Sequence, residues 1–274
     1  MTTLVHLSDL HFGSVEPDVI APLRSSILEI CPDLVAVSGD LTQRARRAQY
    51  KAAREFLDSL PFPKIIVPGN HDVPLYDVAR RFFSPLGRYR RYISPDTEPT
   101  CIGEDIAVIG VNSARSATFQ SGRINDRQLA RVQDFFSGVT DEFTRIVVCH
   151  HPFDMPPGRP HGRVRGAGRI ISSLASAGAE LVLSGHFHLS HVGHAIEQIG
   201  ANGRLLLLIH SGTATSNRRR GEANAFNCLR INRPAMEITR YWWNVEENRF
   251  VSVLREDFER SRSGWAAAPA SKRA

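Results

Sequence analysis

The chain has 274 residues, 42% of them hydrophobic, four cysteines and a formal net charge of +6. That length and apolar content suit one large domain with a proper core. The longest apolar run, "LLLLI" at 205–209, is too short to span a bilayer. The opening "MTTLVHLSDLHFG" has no secretory-signal pattern. Cys31, Cys101, Cys149 and Cys228 form no CxxC pair, which speaks against a zinc knuckle and for reduced thiols in a cytoplasmic protein. Arginine clusters at 44–47, 88–91, 158–169 and 218–220 dominate the basic balance, which fits an anionic substrate or a plain solvated surface.

In chain order, short runs rich in Val, Ile and Leu predict strands at 3–7, 34–38, 64–67, 106–111, 145–149 and 180–183. Helical stretches fall between them near 17–30, 44–59, 75–83, 126–137 and 166–177; Asn125–Asp126 reads as a helix start and Gly178 as a stop. This alternation predicts an α/β fold. After residue 195 the pattern becomes a run of strands, "RLLLLIHSGTA", "AFNCLRIN", "AMEITRYWWN" and "RFVSVLRED". They are expected to pair antiparallel in a second sheet packed on the first. No linker divides the chain, so residues 1–260 read as one domain, with 261–274 a flexible tail.

Each early strand runs into acids and histidines. "VHLSDLH" ends with Asp9 and His11, "LVAVSGD" with Asp40, and "KIIVPGNHD" with Asn70, His71 and Asp72. "RIVVCHHP" ends with His150 and His151, and "LVLSGHFH" with His186 and His188. Ligands of open α/β sheets bind beyond the carboxyl ends of the strands, so five such ends can converge. In an extended D-x-H or H-x-H segment the outer residues point the same way and can share one metal. The mixture of carboxylate, amide and imidazole suits manganese, iron or zinc better than calcium. Glycines before Asp40, Asn70 and His186 let the strands turn sharply there. Any one of these residues alone is an ordinary cap, turn or polar contact; five coincidences at strand ends are a site.

The ordered set "DLH", "GD", "GNHD", "HH" and "GHFH", running from residue 9 to 188, resembles the signature of the calcineurin-like metallophosphoesterases, and the chain is similar to their bacterial class III cyclic-nucleotide phosphodiesterases. The resemblance implies two facing mixed β-sheets flanked by helices, a four-layer α/β sandwich, with two divalent or trivalent metal ions (manganese, iron or zinc) at the strand ends. Carried over residue by residue, Asp9, His11 and His188 would hold one metal. Asn70, His150 and His186 would hold the other, and Asp40 would bridge them. His71 would lie over the substrate phosphate and Asp72 would help orient it.

The activity so implied is hydrolysis of a small anionic phosphodiester, such as a 3',5'-cyclic nucleotide, by a hydroxide bridging the metals. The family also contains DNA exonucleases, hydrolases of a lipid-linked pyrophosphate, and a binding scaffold that has lost its ligands. The basic surface keeps nucleic acid as a partner in view, and a homo-oligomer is compatible with the sequence. His71 stands where the lipid-pyrophosphate enzymes usually carry arginine, and every ligand position is filled, which disfavours the scaffold. Outside the signature, His151 reads as a residue that orients a ligand, His191 and His194 as loop residues, and His161 and His210 as candidates to approach the site. Arg115, Arg123 and the run at 218–220 are candidate phosphate contacts. Substrate choice is expected in the loops at 73–100, 113–124 and 152–166, which carry no motif.

Overall fold

A computed structural model describes residues 1–154, 161–188, 203–217 and 221–268, together with the backbone of strand 196–199. Among the described residues, thirteen strands and six helices alternate early and give way to strands late. The first sheet contains β1 (Thr2–Leu7), β2 (Leu34–Val37), β3 (Lys64–Ile66), β10 (Ala225–Asn232), β11 (Ala235–Asn244), β12 (Arg249–Ser261) and β13 (Gly264–Ala267), in the order β13-β12-β11-β10-β1-β2-β3. The second contains β4 (Thr100–Ile102), β5 (Ile106–Gly110), β6 (Thr144–Val148), β7 (Leu181–Ser184), β8 (Ile196–Ile199) and β9 (Leu205–His210), in the order β4-β5-β6-β7-β9-β8. Both sheets are mixed: the first is parallel over β1–β3 at one edge and antiparallel elsewhere, and the second has a parallel centre with antiparallel flanks.

The apolar runs of the early strands follow from burial on both faces. Leu4, Leu34, Ala36, Ile106, Val108, Ile146 and Leu183 meet between the two sheets. Their chain neighbours Val5, Val35 and Val37 face α1 (Pro17–Ile30) and α2 (Arg47–Asp58). Ala107, Ile109, Val147 and Val182 face α5 (Asp126–Ser137) and α6 (Ala167–Ser176). Period-two alternation between two dry interfaces gives continuous hydrophobic strands, and three cores separate four layers, helix–sheet–sheet–helix.

Local signals place the helix ends. Asn125 caps α5: its side chain accepts from Gln128 N at 2.9 Å, and Gln128 Oε1 accepts from Asn125 N at 3.0 Å. α1 begins with Pro17 and closes on Cys31 at φ 51°. All four cysteines are free; Cys149 and Cys228 are buried, Cys31 is exposed.

Three expectations need correction. The early strands do not share one sheet, because β1–β3 and β4–β7 separate, and β10–β12 extend the first sheet through an antiparallel β1–β10 pair. The segment 73–100 is not all loop: beside α3 (Val78–Phe83) it holds α4 (Gly87–Tyr92) and β4, elements too short to show a period. Tyr89 anchors α4, buried and donating to Ile66 O at 2.8 Å. Residues Gly264–Ala267 are not a flexible tail: they form β13, and Trp265 is fully buried between the sheets. Burying an indole stabilises by several kcal/mol, enough to order a short edge strand that polar flanks alone would leave loose. Residues 269–274 lie outside the described part.

Candidate metal centre

The seven expected ligands come together where strands of both sheets end. Asp9 and His11 follow β1, Asp40 follows β2, and Asn70 opens the single 3₁₀ turn Asn70–Asp72 after β3. His150 follows β6, and His186 and His188 follow β7. Asp9, His11, Asp40, His150 and His188 are buried; Asn70 and His186 are half-buried.

The donors form two groups. In one, His11 Nε2 and His188 Nε2 lie 3.0 Å apart, with Asp9 Oδ1 at 3.4 and 3.5 Å from them. In the other, His150 Nε2 lies 3.0 Å from Asn70 Oδ1 and 3.2 Å from His186 Nδ1. Asp40 Oδ2 stands between, 3.6 Å from His11 Nε2 and 3.4 Å from His150 Nε2.

These approaches fit cations. His150 Nδ1 donates to Ser38 O at 2.8 Å, so a neutral His150 turns a lone pair on Nε2 toward the amide oxygen of Asn70. Two acceptors 3 Å apart repel unless a positive charge lies between them. Asp9 Oδ1 is buried and accepts no hydrogen bond, a costly state for a carboxylate without a cation. The electrostatics agree. Burial raises the Asp9 and Asp40 carboxyls, but His188 beside Asp9 and His150 beside Asp40 outweigh it and hold both acids below the usual carboxylate range. Burial lowers His150, yet Asp40 overrides it and lifts the imidazole to about 9. Burial, then the neighbouring His150, pulls His186 down to about 3. A proton on His150 thus does part of what a metal ion would do, and metal binding would release it.

The ligand strands do not run on extended, as the D-x-H and H-x-H reading assumed. Asp9, His11, Asp40, His186 and His188 have φ of 52°, 48°, 53°, 81° and 55°, and they are five of the eight non-glycine residues with positive φ among those described. Such left-handed residues cost on the order of 1 kcal/mol or more each and gather at functional sites. Two successive left-handed kinks bring both outer side chains to one point.

Two of the three glycines serve an end other than the expected turn. Gly39 does turn, at φ +97°. Gly69 and Gly185 instead permit close approach: a Cβ on Gly69 would lie 2.1 Å from Asp40 Oδ1, and one on Gly185 would lie 1.7 Å from Ser8 Oγ and 2.5 Å from Asp9 Oδ2. Asp9 Oδ2 accepts from Ser8 Oγ at 2.7 Å and from His186 N at 2.8 Å, tying the first sheet's ligand to the second's.

His71 and Asp72 part company. His71 N donates to Asp40 Oδ1 at 2.8 Å, and its ring sits edge-on to His11 at 4.8 Å. Its Nδ1 lies 2.9 Å from Gln43 O and 3.2 Å from Arg44 Nη1, so it donates to the carbonyl when protonated and accepts from the guanidinium when not. Arg44 Nη1 donates to the same carbonyl at 3.1 Å. Asp72, expected to orient its neighbour at the phosphate, points into the protein. Its carboxylate accepts from Gly69 N, Leu41 N, Thr42 N and Thr42 Oγ1 at 2.9–3.1 Å, clamping the β2 and β3 loops together. Burial and then the Asp40 charge push it up to about 6. Asp72 thus holds backbone and does not line the cleft. The packing of two loops against each other decided this, which spacing within one loop could not reveal.

Around these groups is a cleft of about 340 Å³. Asp40, Asn70, His71, His186 and His188 form its floor; Gln43, Arg44, Leu75, Arg81, Phe119, Gln120, Phe187 and the exposed His161 form its walls. Arg81 donates to Pro74 O and Thr118 O, both at 2.9 Å, with its guanidinium 4.2 Å from the Phe119 ring. Asn70 Nδ2 donates to Phe119 O at 3.2 Å, so one amide serves the donor cluster and the wall. The sequence offered no signal for Arg81 or Phe119. His151 is locked by Ser113 Oγ at 2.8 Å and packs on the His186 ring at 4.8 Å. It also lies close enough to His150 and His186 to share a metal. His210 stays behind the site, bonded to Ser184 Oγ at 2.8 Å and Asp154 at 2.7 Å. Arg115 does not line this cleft: it bonds Asn112 O, Ala114 O and Gln128 Oε1. Arg123 is exposed, and its backbone N–H donates to Ser113 O at 2.9 Å. His191, His194 and 218–220 lie outside the described residues.

Comparison with known proteins gives the same direction. The chain is 28% identical over 170 residues to the glycerophosphodiester phosphodiesterase GpdQ of Enterobacter lignolyticus, 56% of this chain and 58% of that protein. It is 30% identical over 81 residues to a probable cyclic nucleotide phosphodiesterase of a Synechococcus species, 26% of this chain and 32% of that one. It thus spans under two thirds of the length of either relative. A purple acid phosphatase from yellow lupin, Lupinus luteus, superimposes with a TM-score of 0.63 at 10% identity over 93% of this chain and 53% of its own, a likeness of fold. The family model for the calcineurin-like phosphoesterases matches residues 2–190, and the chain belongs to that family.

Proposed function

We propose that the protein is a two-metal phosphodiester hydrolase whose substrates are small diesters, a 3',5'-cyclic nucleotide or a glycerophosphodiester among them. The observation that supports this most is the pair of donor groups sharing Asp40 at the base of a cleft. Asp9, His11 and His188 would hold one metal and Asn70, His150 and His186 the other. When bound, the metals supply Lewis acidity and an acidified water. Manganese, iron and zinc all suit these donors.

The chain's own residues do the rest. His71, when its ring carries both protons, would give the one on Nε2 to the departing alkoxide, with Nδ1 facing Gln43 O. Arg44, on the same carbonyl, adds positive charge beside it. Phe119 and Phe187 limit the room for the leaving group and exclude water. A cleft of about 340 Å³ suits a small diester better than a duplex, which sets the nuclease reading second. Four free cysteines support a reducing, cytoplasmic setting.

The test is turnover of a chromogenic aryl diester by chelator-stripped protein reloaded with each metal in turn, followed by a panel of cyclic nucleotides, glycerophosphodiesters and single-stranded DNA. Metal-restored cleavage of the small diesters is expected. Cleavage confined to DNA would replace this reading with the nuclease, and no metal-dependent cleavage would end both.

A further inference from the structure

Large apolar side chains are exposed at nine described positions, and five of them, Tyr76, Val78, Phe82, Phe83 and Phe119, belong to the two segments that rim the cleft. Phe83 is 90% exposed and Tyr76 74%. Tyr76–Arg80 runs between the cleft-lining residues Leu75 and Arg81, Tyr76 lies 5.8 Å from the cleft residue Arg44, and Phe119 is itself a wall. An exposed apolar cluster beside a site marks a surface that meets something.

The surrounding charge says what it meets. The exposed arginines of residues 73–93 are Arg80, Arg90 and Arg91, and the one acid there, Asp77, is paired with Arg80 at 2.8 Å. Arg46 and Arg47, at the start of α2 beside Arg44, are exposed, as are Arg90 and Arg91 at the end of α4. Aromatic side chains among arginines match a lipid surface with negative headgroups, where rings settle at headgroup level and the cations meet phosphate. A second copy of the chain fits less well, because a self-matched contact would set one arginine-rich rim against another. No described helix is long and apolar enough to cross a membrane, so the contact would be peripheral.

We propose that the cleft rim docks on an anionic bilayer surface, with Tyr76, Val78, Phe82, Phe83 and Phe119 entering the interface. The site then takes phosphodiester groups presented at that surface. This last step rests on the hydrolase reading; the docking does not.

The test is flotation of the whole chain with phosphatidylglycerol–phosphatidylcholine vesicles against phosphatidylcholine vesicles alone. Binding to the anionic vesicles is expected to be about tenfold stronger and to weaken as salt rises. F82S/F83S should reduce it to the neutral-lipid level without moving the thermal unfolding midpoint. Should that pair fail to fold, Y76S/V78S serves instead. The proposal is overturned by no flotation with anionic vesicles, by equal flotation of wild type and a folded variant, or by a dimer in sedimentation velocity that the same substitutions abolish while lipid binding is absent. Soluble-diester turnover is measured alongside, so vesicle binding without any turnover would count against the hydrolase alone.

Discussion

The floor and the rim of the cleft are built on opposite principles. The metal-donor floor is buried or half-buried, held by main-chain hydrogen bonds and bent into left-handed backbone at five candidate ligand positions. The rim, residues 73–83 and 117–120 with His161, is short helix and loop with aromatic side chains in solvent. A metal centre needs donors set to within tenths of an ångström, and only strand ends locked between packed layers hold them so. A substrate wall needs shape and access, which loops supply and can change. Floor substitutions should therefore abolish chemistry or the site itself, and rim substitutions should retune it.

The largest effect is expected at Asp40. Asp40→Ala should purify with little metal by elemental analysis and lose on the order of a thousandfold or more in turnover; an active, metal-replete variant would erase the contrast between floor and rim. Next comes His71→Gln, with kcat down by about 10²–10⁴-fold and metal content unchanged. Loss of metal there would move His71 into the donor set, which the grouping of His11, Asp40 and His71 atoms makes worth measuring. Asp72→Ala strips an acceptor from three buried backbone N–H groups and should cost on the order of 3 kcal/mol in denaturant unfolding. Near-native stability with lost turnover would return Asp72 to a direct catalytic role. Phe119→Ala should do least: a change in KM of about tenfold or less, with kcat and metal content kept, since it removes wall and not chemistry. A collapse of kcat there would mean that Asn70, bonded to the Phe119 carbonyl, depends on the wall for its orientation.

The legible parts of the molecule were the locally determined ones. α1, α5, β10 and β11 match their expected ranges because a proline start, a capping asparagine or the "NRP" turn bounds each within its own sequence. α4 and β4 were hidden: six and three residues show no period, and α4 is held by Tyr89 reaching β3. Trp265 was hidden for a related reason, since the surface it packs on comes from distant strands. In the site, the acids and histidines that gather were readable and the cleft walls were not. A carboxylate or imidazole at a strand end carries its chemistry in its own side chain. Arg81 and Phe119 become walls only because the turn after β3 lies against the loop after β5.

The amino-acid sequence alone determined which candidate donors this protein has, their order along the chain, and that each lies just past a strand. Those properties are set by residue type and by hydrophobic runs only a few residues long. Which sheet each strand joins, the left-handed turns that aim the donors, the inward clamp of Asp72 and the exposed aromatic rim were decided by the tertiary structure. They depend on surfaces far apart in the chain, and no local pattern specifies how those surfaces meet.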